Sequence, residues 1–87
     1  MAEPLITPVL SSEDRTACGH GAEMIGQQAY RYASPALYRS KIHPEDAAYL
    51  TARLATYRRL CVLAGVEPKP HWVEQIEAAI ALPEAKS

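Results

Sequence analysis

Apolar positions step through the second half of the chain in a helical rhythm. Ala47, Leu50, Leu54, Tyr57, Cys61 and Ala64 follow one another at spacings of 3, 4, 3, 4 and 3. Such spacing puts all six on one face of an α-helix, the face that turns toward a core. His43-Pro44 opens this helix, because proline suits a first helical turn, and Glu45 and Asp46 sit at its positive end. Gly65 closes it as a left-handed cap. Leu60 and Leu63 widen the apolar seam toward its C-terminal end. The stiff linker Val66-Glu67-Pro68-Lys69-Pro70 leads into a last helix that runs to Pro83. Its apolar face is Val73, Ile76 and Ala79 or Ile80, with Trp72 beside them.

The first half reads less evenly. Ser11-Ser12-Glu13-Asp14 is a helix start, a serine cap followed by acids at the positive end. Gly19, Gly21 and Gly26 then interrupt it, each costing about 1 kcal/mol relative to alanine in a helix interior. Either the helix breaks near Gly19–Gly21 or small residues are needed there for close packing. From Ala22 the rhythm recovers through Ile25, Ala29 and Tyr32. Ser34-Pro35 ends that segment, since a residue before proline is pushed out of the helical region. Residues 35–42 form a short helical turn that packs Leu37 and Ile42 inward. The expected architecture is all-α: a small compact bundle of three to five helices over 11–83, an extended N-terminal arm over 1–10 and a frayed tail over 84–87.

Composition agrees with helices. Fifteen of the 87 residues are alanine and eight leucine, against four valines, five isoleucines and no phenylalanine. An alanine-rich core of this length is thin, so assistance from a partner or a second copy is expected. The seam Leu50, Leu54, Tyr57, Cys61 spans more turns than the last helix covers; a homodimer is the expected way to finish it, and a monomeric bundle in which the first helix and the N-terminal arm complete the cover is the alternative. No run of about 18 apolar residues exists to cross a membrane, and the first ten residues lack the basic start of a secretory leader. Two cysteines without a dense framework fit a reducing compartment, so a cytoplasmic location is expected.

The formal net charge of −1 hides a segregation along the chain. Between positions 30 and 59, Arg31, Arg39, Lys41, Arg53, Arg58 and Arg59 stand against Glu45 and Asp46, a net of +4. The flanks carry −3 before and −2 after. Tyr30, Tyr32, Tyr38, Tyr49 and Tyr57 thread the same stretch. Arginine and tyrosine are enriched at protein interfaces, the first for its bidentate, stackable head and the second for rigid amphipathic area. Tyr30, Arg31, Tyr38, Arg39, Arg53, Arg58 and Arg59 are therefore the candidate partner-binding residues. A basic middle helix lying beside an acidic last one would equally give ordinary intramolecular pairs.

Candidate chemistry is sparse. Cys18, His20, His43, Cys61 and His71 are possible zinc ligands by type, but they lack the paired spacing of structural zinc sites, and Cys61 lies on the apolar seam. Cys18 and His20, two apart on a helix, point to different faces unless the neighbouring glycines bend the backbone. No phosphate loop or nucleophile elbow is present. No catalytic residue, metal ligand or cofactor is expected. The reading that follows is a non-enzymatic helical interaction module, an accessory, adaptor or inhibitor protein docking onto a larger protein. A nucleic-acid-associated helical protein, with Arg53, Arg58 and Arg59 on phosphates, is the alternative, and an isoelectric point near 6.3 argues against it. A metal or thiol site at Cys18 and His20 is the second alternative.

Overall fold

The computed structural model describes residues 10–85. Among them stand three helices, α1 (Ser12–Arg39), α2 (Pro44–Ala64) and α3 (Pro70–Ile80). The expected all-α class holds, with three elements, and each helix packs against the other two. The arm expected over 1–10 lies outside the described residues but for Leu10.

α1 begins where the sequence places its start. Ser11 Oγ accepts from the Asp14 N–H at 3.1 Å and an Asp14 carboxylate oxygen accepts from the Ser11 N–H at 3.4 Å, so the cap is reciprocal. From there α1 runs 28 residues: of the two alternatives at Gly19–Gly21 the unbroken helix holds, and the stop expected at Ser34-Pro35 is absent. Packing explains both outcomes. The inward stripe of α1 is Ala22, Gly26, Ala29, Ala33 and Ala36, a 4-3-4-3 run of small residues. Large side chains come from the neighbours instead: Leu50, Leu54, Tyr57 and Cys61 of α2, and Trp72 and Ile76 of α3. Gly26 serves this close approach: a Cβ there would sit 2.6 Å from the Tyr57 ring and 2.7 Å from the Trp72 ring.

Pro35 faces solvent while its neighbours Ala33 and Ala36 are buried. Burial on that stripe holds the helix together across the missing N–H. One turn earlier, the Tyr30 carbonyl accepts from Ser34 Oγ and from Gln75 Nε2 of α3, both at 3.3 Å. The short turn expected over 35–42 is therefore the last turn of α1, closed by Ser40 in the left-handed region (φ 61°). Leu37 is half-buried and Ile42 is buried, as expected.

α2 has the expected limits, with His43 as cap residue, Pro44 in the first turn and Gly65 at φ 71° closing it. α3 ends at Ile80, two residues short of the expected Leu82, which lies in a turn. Trp72 is buried between Tyr30 and Tyr57 with ring centroids about 6 Å from each, so it belongs to the centre of the core. Ala79 is fully buried and Ile80 partly so.

Two expectations change at the ends. Glu84 and Ala85, read as part of a frayed tail, instead lie in a parallel bridge beside Ile42: the Ile42 N–H donates to the Pro83 carbonyl at 3.0 Å and the Ala85 N–H to the Ile42 carbonyl at 2.8 Å. The seam that was to be finished by a second copy is covered within one chain. Leu50, Leu54, Tyr57 and Cys61 are all 5% exposed or less. On α2 and the linker after it, the large apolar side chains that stay exposed lie past the seam, at Val62, Leu63 and Val66.

Candidate interaction surface

The seven residues proposed from sequence do not gather on one face. Tyr30 is half-buried at the α1–α3 contact, edge-on to His71 and near Trp72, and is packing as much as surface. Arg31 and Tyr38 lie on the side of α1 turned away from its inward stripe, Tyr38 with 93% of its surface free. Arg39 sits in the last turn of α1, at the junction with α2. Arg58 reaches across to α3, where its Nη2 lies 3.4 Å from Glu77 Oε2 with both side chains about half-exposed. An exposed pair of that kind contributes little, roughly 0–1 kcal/mol. It realises the intramolecular pairing that the charge pattern also allowed. Arg59 points to solvent.

Arg53 is placed differently. Its guanidinium carbon lies 5.0 Å from the centre of the Tyr49 ring, and the Tyr49 ring in turn packs at 4.6 Å, tilted by 43°, on Tyr32 of α1. Tyr32 Oη donates to Asp46 Oδ1 at 2.7 Å. That hydrogen bond, with some burial and the nearby carboxylates, pushes the Tyr32 phenol above its ordinary range. The result is an ordered column of Tyr32, Tyr49 and Arg53 along the α1–α2 seam, anchored by Asp46. Helix geometry explains the column. Tyr49 and Arg53 are one turn apart on α2, and the antiparallel α1 brings Tyr32 alongside. Tyr32, Tyr49 and Asp46 were not among the seven. The signal available in the sequence was the spacing of Tyr49 and Arg53, four apart.

A second constellation sits at the opposite side of α1. The Tyr57 hydroxyl accepts from the Lys69 N–H at 2.7 Å, and Lys69 Nζ pairs with Glu23 at 2.8 Å while lying 4.3 Å above the Trp72 ring. These contacts fix the linker before α3. Burial raises the Tyr57 phenol and, equally, the neighbouring Cys61 thiol. A thiol held protonated and 1% exposed is a packing group and a poor nucleophile.

Cys18 is half-buried and His20 exposed. Among the described residues no three His, Cys, Asp or Glu side chains come together in a way that could hold a metal ion. Among the same residues no helix is long and apolar enough to cross a membrane. Between α2 and α3 runs a shallow apolar groove of about 350 Å³ over Leu54 and Ile80, with Thr51, Ala55 and Ala81 on its walls and the Arg58–Glu77 pair at its edge. The described residues form a small all-α fold of three helices with an arginine–tyrosine column on one seam. No protein-family model, curated protein or solved structure matches the chain.

Proposed function

We propose that this chain is a non-enzymatic helical interaction module that docks onto a larger protein, as an accessory, adaptor or inhibitor acting in the cytoplasm. The observation that supports this reading is the Tyr32–Tyr49–Arg53 column. Its side chains are already held in the free chain by the tilted ring contact, the arginine over Tyr49 and the Asp46 hydrogen bond, so little conformational freedom remains to be lost on binding. Aromatic and arginine side chains held in that way are the residues on which binding energy concentrates. Arg31 and Arg59 lie on outer faces, and Arg58 is turned to Glu77. The docking face is therefore the α1–α2 seam rather than the whole basic stretch. Free cysteines fit the reducing location.

The test is capture from native cell extract, with wild type, Arg53→Glu and Arg58→Ala compared by mass spectrometry. The expected outcome is a protein retained by wild type and by Arg58→Ala and lost with Arg53→Glu, whose helical circular-dichroism signal stays intact. Equal retention by all three, or none by wild type, overturns the reading.

Self-association is a second reading, carried by Val62, Leu63 and Val66, which remain exposed beyond the covered seam. Sedimentation equilibrium decides it. A single species near 9.6 kDa over a hundredfold concentration range removes it.

A further inference from the structure

The junction between α1 and α2 carries basic side chains in an unusual register. Arg39, Lys41 and His43 alternate with Ser40 and Ile42. Ile42 is extended, bridged to Glu84, and its side chain is buried in the core at 4% exposure. In extended backbone successive side chains point to opposite sides, so burying Ile42 turns both Lys41 and His43 outward together. Arg39 joins them from the last turn of α1. These three residues and Ala85 line a recess of about 210 Å³.

The backbone under this recess is held rigidly. The Ser40 N–H donates to the Leu37 carbonyl, the Lys41 N–H to the Ala36 carbonyl, and Ile42 exchanges hydrogen bonds with Pro83 and Ala85 on the returning C-terminal segment. Among the described residues no carboxylate lines the recess and none of the three basic side chains makes an ion pair. Asp46, one helical turn into α2, is occupied by Tyr32. Two cations and an imidazole thus line one concavity whose described lining holds no carboxylate, the acids next to it along the chain being Glu84 on the bridged segment and Glu45 in the first turn of α2.

We infer that this recess binds a phosphate-class oxyanion, beyond and independently of the docking surface proposed above. Arg39 supplies a forked pair of donors that matches two oxygens of a tetrahedral anion, Lys41 supplies a point charge, and His43 supplies a ring donor. The volume takes a phosphate group with part of what it is attached to. It does not take a nucleotide.

The experiment is a two-dimensional amide NMR titration of the full chain, with inorganic phosphate and with O-phosphoserine, against sodium chloride at matched ionic strength. Shifts confined to residues 39–45 and 84–85, saturating with phosphate and absent with chloride, are expected. Removing both charges with Arg39→Gln and Lys41→Gln raises the half-saturation concentration by about tenfold or more, because charge-assisted bonds carry the affinity. Lys41→Glu, a single exposed change, does the same should the double variant fail to fold. Tighter saturation by O-phosphoserine than by inorganic phosphate identifies a phosphomonoester as the source, and equal saturation identifies the free ion. Shifts spread over Arg15, Arg53 and Arg59 alike, no saturation, or saturation unchanged in the variants overturns the inference.

Discussion

Gly26 and its neighbours Gly19 and Gly21 are alike in sequence and different in structure, and the difference is measurable. All three sit inside α1, where glycine costs about 1 kcal/mol against alanine. A Cβ at Gly19 would rest 3.8 Å from Ala64 and one at Gly21 3.6 Å from Leu60, both ordinary contacts. Gly19→Ala and Gly21→Ala should each stabilise the chain by up to about 1 kcal/mol. Gly26→Ala should destabilise it by about 1–3 kcal/mol or more, since both rings it would strike are locked in the core. Urea denaturation of the three variants checks this, and a stabilised Gly26→Ala would refute the packing described. Sequence reading allowed for small residues in close packing but could not tell which glycine mattered, because the answer lies 31 and 46 residues away at Tyr57 and Trp72. Those same rings set the alkaline limit. Tyr57 and Cys61 both ionise above their ordinary values near 10 and 9 in the folded chain, chiefly through burial. Folding therefore favours their protonated forms, and that stability is present below about pH 9 and lost as pH rises through the raised values. Melting temperature should fall from about pH 9 upward, and Tyr57→Phe should flatten the fall.

Among the elements, α2 was legible almost to the residue and α1 was not. Helix ends written in local chemistry, the Ser11–Asp14 cap, Pro44 and Gly65, appear in the structure where the sequence puts them. Pro35 misled because proline's effect on a helix is a local preference, and here tertiary burial outweighs it. Ala33 and Ala36 are buried on either side, and a broken helix would pull them out of the core cluster. The interaction column was missed for a related reason: Tyr32 and Tyr49 are 17 positions apart and meet only once α1 is known to continue past Pro35. The cost of Pro35 should still be present. Pro35→Ala restores an N–H to the ladder at a solvent-facing position and should raise stability by about 1–3 kcal/mol, less the gain in unfolded-chain entropy. An unchanged or lower urea midpoint would mean that the proline shapes α1 in a way its packing does not reveal.

Across the whole molecule, the core depends on interlocking rather than on the bulk of any one helix. α1 contributes small residues, α2 a row of leucine, tyrosine and cysteine, and α3 Trp72 and Ile76. Each large apolar side chain so buried supplies about 1.5–3 kcal/mol, and no two helices retain that burial without the third. Trp72 is the point where this is tested, because it touches Tyr30 of α1 and Tyr57 of α2 and is the single tryptophan of the chain. Its fluorescence reports the docking of α3, whereas the far-ultraviolet circular dichroism is dominated by α1 and α2, 28 and 21 residues against 11. If the three helices are one cooperative unit, the two signals should follow the same urea curve with the same midpoint and slope. The linker contacts make the same demand, since Lys69 ties α3 to Glu23 and Tyr57 on the other two helices. A fluorescence transition that precedes the dichroism would show α3 detaching from a surviving α1–α2 pair, and would move the centre of stability to the Leu50–Leu54 end of the seam.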